Sequence, residues 1–209
     1  MLVDRFVLQD HEREARLEGV RQFFSTHAVH RVLPGQPPLL GKAPGTRYEW
    51  QIYARRALFD PAFAEVMATL ALDMIAREIG HFEFQLAGLE TASVPVMCAI
   101  SAHARVRGVN LNVVSVRKNR KDYGLHNWIE GRLDRKRVLL VDDICNSTES
   151  LQTAARVLVN EYQAGLLPFT FTVVNKTLKG SRNEHYDKHM PAGFRALYLL
   201  DLTDLGLRP

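Results

Sequence analysis

The stretch Arg137–Ser150 constrains this chain more than any other. Arg137 to Val141 is short, apolar and mostly β-branched or leucine, and it runs directly into Asp142 and Asp143. A strand apolar on both faces belongs inside a sheet covered on both sides, which is the habit of parallel sheets. After the two acids come Asn146, Ser147, Thr148 and Ser150. A helix is expected over 148–163, with Leu151, Ala154, Ala155, Leu158 and Val159 on one face. Adjacent carboxylates repel one another and persist most easily where they accept hydrogen bonds from hydroxyls or serve a cation. The N-terminus of the following helix offers amide groups to an anion. One ligand suits both halves: a sugar with a vicinal diol and a phosphate close by. The plainer alternative is that Asn146 or Ser147 caps the helix and the two acids only open a turn.

The rest of the chain alternates in the way such a sheet requires. A helix is expected over 5–24, with Phe6, Leu17, Val20, Phe23 and Phe24 forming its apolar face. Residues 31–47 carry four prolines and three glycines and read as a long irregular segment, either a lid or a surface loop. Tyr48, Trp50, Ile52 and Tyr53 suggest a short strand, and their rings either stack on a ligand or fill the core. Asp60-Pro61 then opens a helix that Gly80 closes. A strand at 83–88, a helix at about 95–107 and strands at 111–116 and 169–174 complete an α/β pattern with a mainly parallel sheet flanked by helices. Ligands bind such sheets at the carboxyl ends of strands. The loops 89–93, 117–127 and 142–150 should therefore converge.

The 209 residues suit one domain with a small N-terminal hood, divided here as 1–58 and 59–209. No apolar run is long enough to cross a membrane, and the charged start is unlike a signal peptide, so a soluble cytoplasmic protein is expected. The balance of 27 basic and 23 acidic residues is only mildly basic, without the dense basic stripe of a nucleic-acid binder. The cluster Arg117-Lys118-Asn119-Arg120-Lys121 either binds phosphate or is a solvated loop. Cys98 and Cys145 cannot make a disulfide framework, and neither they nor the eight histidines have metal-ligand spacing. No protein metal ligands are assigned.

Several motifs, in order, resemble the type I phosphoribosyltransferases, and the orotate branch in particular. Val138–Ser150 is similar to that family's signature for 5-phosphoribosyl 1-diphosphate (PRPP). Gly88–Pro95 resembles its pyrophosphate loop, Val116–Gly124 its mobile catalytic loop, and Leu199–Leu205 its C-terminal strand region. The resemblance implies an enzyme that moves a phosphoribosyl group from PRPP to a nitrogenous base, with Mg2+ as cofactor, and a homodimer. By the same resemblance Asp142 and Asp143 would hold the ribose hydroxyls. Asn146, Ser147, Thr148 and Ser150 would take the 5′-phosphate. Thr91, Ala92, Ser93, Arg117 and Lys118 would hold pyrophosphate, with Lys121 as the catalytic cation. A non-catalytic PRPP- or nucleotide-binding module is the alternative. A phosphatase-like enzyme using Asp142 as nucleophile lacks a supporting set of residues.

The chain departs from the family pattern in three places. Thr148 replaces the glycine of the phosphate loop, with Glu149 beside it; a carboxylate facing the phosphate would cost on the order of 1 kcal/mol. Asn175-Lys176 replaces an Asp-Arg pair, so Lys176 is assigned to the substrate without the fork of an arginine. The segment 31–47 replaces a shorter lead-in.

Overall fold

The computed structural model describes residues 2–40, 47–120, 127–134, 136–177 and 184–208. After a 3-10 turn at Val3–Arg5 the elements are α1 (Asp10–His27), β1 (Val29–Arg31), β2 (Leu39–Leu40), β3 (Arg47–Tyr48), β4 (Trp50–Ile52), α2 (Ala54–Leu58) and α3 (Pro61–Glu78). They continue as β5 (Phe84–Leu89), α4 (Ser93–Val106), β6 (Val113–Val116), β7 (Ile129–Gly131) and β8 (Arg137–Cys145). The chain closes with α5 (Glu149–Tyr162), β9 (Leu166–Asn175), α6 (Glu184–His189) and β10 (Arg195–Asp201).

The main sheet has six strands in the order β10-β9-β8-β5-β6-β7, all pairs parallel except the antiparallel β6–β7 edge. Its two faces follow from strand alternation. Leu139 and Val141 of β8 join Phe84, Leu86, Phe171 and Val173 in a core with α1, α3 and α4. Val138 and Leu140 point the other way, toward Leu151, Ala154 and Leu158 of α5 and Tyr186 of α6. This is the doubly covered sheet expected from the apolar run. Among the described residues no helix is long and apolar enough to cross a membrane.

Local chemistry explains the best-defined helix. The Asp60 carboxylate accepts from the Phe63 amide at 2.9 Å and Pro61 occupies the first turn. At the other end Gly80 takes a φ of +76°, which a side chain would strain.

The structure differs from the sequence expectations in several places. The first helix begins at Asp10 and not at residue 5, because the chain before it is pinned: the Leu8 amide donates to the buried Asp73 carboxylate at 2.8 Å. Within 31–47 the described part is not wholly irregular, since β2 pairs with β3 across Leu39↔Tyr48 and Leu40↔Arg47. The aromatic stretch is two short strands followed by α2, and β4 pairs with β1. Most consequentially, β8 does not stop at Val141. It continues through both acids to Cys145 because its backbone keeps pairing with β9, at Asp142↔Thr172, Ile144↔Val174 and Cys145↔Asn175.

Candidate active site

β5 and β8 lie side by side in the middle of the sheet. From β5 the chain crosses through α4 to β6, and from β8 through α5 to β9 on the opposite side. A crevice opens where such connections diverge, beyond the carboxyl ends of the strands. Gly88 makes this junction tight. A Cβ there would run into the Val141 carbonyl oxygen and the Ser93 side chain, so only glycine lets β5 lie this close to β8 and the start of α4.

Asp142 and Asp143 stand at the β8 side of the crevice. Asp142 is buried and Asp143 half-buried. The Asp142 carboxylate accepts from the Asp143 amide at 2.9 Å, and that of Asp143 accepts from the Ile144 amide at 2.8 Å. The two carboxyls stand next to one another, and Ser150 lies beside Asp142 from the first turn of α5. Two carboxylates this close in a buried site favour a proton on the pair. Burial, helped by the charge of Asp143, pushes Asp142 up to about 7. Asp143 is raised too, by burial, but amide donors and the nearby Arg55 guanidinium of α2 oppose the rise. The sequence assigns Arg55 no role; it lies in the stretch Tyr48–Pro61, with Arg55-Arg56-Ala57-Leu58, that resembles the family's early strand and helix start.

The turn after β8 brings Asn146, Ser147 and Ser150 to the same edge. Asn146 and Ser147 are exposed. Thr148 is buried and left-handed, at φ 58° and ψ −4°. That conformation costs a β-branched residue on the order of 1–2 kcal/mol. Its hydroxyl donates to the Ser147 carbonyl at 2.6 Å and accepts from Gln152 at 2.7 Å. What Thr148 offers a ligand is therefore its backbone. Glu149 is exposed in the first turn of α5, where a carboxylate suits the helix dipole.

Across the crevice, Thr91 is exposed, Ala92 half-buried and Ser93 buried. The Ser93 hydroxyl donates to the Leu89 carbonyl at 2.8 Å, which leaves backbone as the main offering of this loop as well. The Glu90 amide donates to the Val116 carbonyl at 2.7 Å and the Lys118 amide to the Glu90 carboxylate at 3.1 Å, so the loops after β5 and β6 are laced together. Arg117 is engaged by Glu130 at 2.9 Å, while its Nε is buried with no partner. Lys118 lines a groove of about 340 Å³ together with Trp128 and residues of α5. Lys121, the expected catalytic cation, lies outside the described residues, as do Tyr123 and residues 41–46.

At the end of β9 the Lys176 amide donates to the Cys145 carbonyl at 2.8 Å, which sets this lysine beside the β8 turn. Its ammonium lies over the Trp50 ring, 4.9 Å from the centroid, and burial lowers its pKa. Asn175 is fully buried; its side-chain Oδ1 accepts from the Thr177 amide and hydroxyl, and its Nδ2 has no hydrogen-bond partner among the described residues. Burial pushes the Cys145 thiol up to about 12, which makes it an inert core group.

No family model matches the sequence. The orotate phosphoribosyltransferase of Methanothermobacter thermautotrophicus is 29% identical over 163 residues, covering 78% of this chain and 81% of the relative. Among solved structures, the Mycobacterium tuberculosis orotate phosphoribosyltransferase superposes with a TM-score of 0.72 at 23% identity, covering 92% of this chain and 99% of the other. The structure of that enzyme with PRPP gives a TM-score of 0.67 over 92% of this chain and 99% of that one, again at 23% identity. The chain has the type I phosphoribosyltransferase fold and is similar in sequence to the orotate phosphoribosyltransferases.

Proposed function

We propose that the chain transfers a 5-phosphoribosyl group from PRPP to a ring nitrogen of a nitrogenous base and releases pyrophosphate. One observation carries this reading. Asp142 and Asp143 stand on the last part of β8, and Ser150 of the first turn of α5 lies beside Asp142, so the acid pair and the amide-lined turn form one cradle for a ribose and its phosphate. The M. tuberculosis relative was solved with PRPP, which supports the same reading.

In this site Asp142 and Asp143 accept from the ribose hydroxyls. The backbone of 146–150, with the side chains of Asn146 and Ser147, holds the 5′-phosphate at the positive end of α5. The backbone of 91–93, with Arg117 and Lys118 once swung in from their present partners, holds the diphosphate. As the bond from C1 to the diphosphate oxygen breaks, its electron pair leaves with pyrophosphate. The base nitrogen supplies the pair for the new C1–N bond and loses its proton. Lys121 is assigned to the growing charge on the leaving group, where a placed cation contributes most.

Mg2+ takes oxygen ligands and keeps several waters. The Asp142 and Asp143 carboxyls fit such a hard cation, while among the described residues no cluster of three or more His, Cys, Asp or Glu forms a protein cage. The ion would therefore ride mainly on substrate oxygens and neutralise diphosphate charge. For the acceptor, Lys176 over Trp50 favours a planar ring bearing negative charge. An orotate-like pyrimidine fits, though lysine holds a carboxylate as a point charge and not as a fork. We assign residues 1–58 to a hood over the acceptor and 59–209 to the PRPP-binding core. We place the protein in the cytoplasm as a homodimer, in keeping with the family resemblance.

The test is incubation of the full chain with PRPP, Mg2+ and a panel of bases, following pyrophosphate release and nucleotide formation. Turnover with one base, abolished by Lys121→Ala, is expected. PRPP binding with no turnover on any base would point to a binding module.

A further inference from the structure

We propose that Gln152 is a positioning residue of the phosphate-holding turn, clamping Thr148 in the left-handed conformation that the turn requires. The inference rests on the transferase reading for the identity of the ligand, but the clamp is a property of the fold.

Gln152 holds Thr148 at two points. Its backbone amide donates to the Thr148 carbonyl at 2.9 Å, and its side-chain amide donates to the Thr148 hydroxyl at 2.7 Å. The hydroxyl is buried, so it needs its partners. It donates in turn to the Ser147 carbonyl at 2.6 Å. That last bond bears on the site. A carbonyl oxygen pointing at an anion repels it, whereas amide groups attract it. With the Ser147 carbonyl engaged by the Thr148 hydroxyl, the turn is left to present its N–H groups. The relay Gln152–Thr148–Ser147 thus fixes the polarity of the turn from a residue one helical turn away. A glycine at 148 would adopt φ 58° without strain and would need no clamp. Glutamine at 152 compensates for threonine at 148.

The relay makes a prediction that a purely helix-stabilising glutamine does not. In the Thr148 background, Gln152→Ala should weaken binding of Mg2+-PRPP about three- to tenfold by calorimetry, the range one lost hydrogen bond allows. It should also speed amide exchange over residues 146–150. Gln152→Met, which keeps the length but cannot donate, should do the same. Thr148→Gly should tighten PRPP binding about two- to fivefold by relieving strain. In the Thr148→Gly background, Gln152→Ala should change affinity and exchange by less than about twofold. Equal losses in both backgrounds, or wild-type behaviour of Gln152→Met, would overturn the proposal. If the unmodified chain fails to bind PRPP, the transferase reading falls, and the exchange measurements still decide the clamp.

Discussion

The Lys176 ammonium rests on the Trp50 indole, 4.9 Å from its centroid, and so joins the end of β9 to the small N-terminal ribbon. A cation over an indole is worth roughly 0.5–2 kcal/mol depending on its exposure. Here it holds the cation that faces the proposed acceptor. Trp50→Ala should raise KM for the acceptor base about tenfold, while PRPP affinity changes less than about twofold, because the ring's contact is with Lys176, which is assigned to the acceptor. Trp50→Phe should recover part of the loss, since a phenyl ring attracts a cation less strongly than an indole. Equal losses for both substrates would show that the ring supports the fold and not the acceptor.

Gly88 sits where β5, β8 and α4 meet, and a methyl group there would overlap the Val141 carbonyl and the Ser93 side chain. Backbone cannot step aside as a flexible side chain can. Gly88→Ala should therefore destabilise the protein by about 3 kcal/mol, at the upper end for overpacking, and should open the crevice. Urea unfolding would measure the first effect. PRPP calorimetry on the folded fraction would measure the second.

The buried Asp73 anchors the N-terminus. It accepts from the Leu8 amide at 2.8 Å and the Arg77 Nε at 2.9 Å, and Arg13 lies 3.2 Å away. Asp73→Ala would leave the Leu8 amide without its acceptor and both arginines without their shared anion. The arginine heads reach solvent, which softens the cost, so a loss of about 2–3 kcal/mol is expected. Amide exchange in residues 3–12 should rise well before global unfolding. Unchanged exchange there would mean that α1 is held by its apolar face alone.

The sequence carried the sheet and several of its loops in local signals, and it failed where partners decide. The helix Pro61–Glu78 was readable because Asp60, Pro61 and Gly80 mark both ends with their own chemistry. The end of β8 was not readable: nothing in Asp142-Asp143-Ile144-Cys145 says strand, and the residues extend only because β9 lies alongside. The pairing of β2 with β3 was hidden for the same reason. The acid pair and polar turn stood out as a unit, whereas Arg55 and Gln152 did not. Their roles come from proximity to Asp143 and from the spacing of Thr148 and Gln152 on one helix face. The contact of Trp50 with Lys176 joins segments far apart in the chain and could be weighed only as one of two options.

The carboxyl pair makes stability depend on pH in a direction opposite to that of most acids. Burial and the charge of Asp143 raise Asp142 from an ordinary value of 3.8 to about 7. The folded protein therefore holds a proton that the unfolded chain has released between about pH 4 and 7. Stability must fall as pH rises through this window and level off above it. The full difference corresponds to about 4 kcal/mol, and roughly 2 is expected because Asp143 shares the burden. Asp142→Asn removes the titration while keeping the shape. Its stability relative to the unmodified chain should be near parity at about pH 4 and should gain roughly 2 kcal/mol by about pH 8. It should also weaken PRPP binding, since an amide is a poorer acceptor for ribose hydroxyls than a carboxylate. Chemical denaturation of both proteins across this range checks the sign directly. A relative stability that stays flat or falls with pH would mean that Asp142 is ionised in the folded protein across the window, and the protonated pair would have to be abandoned.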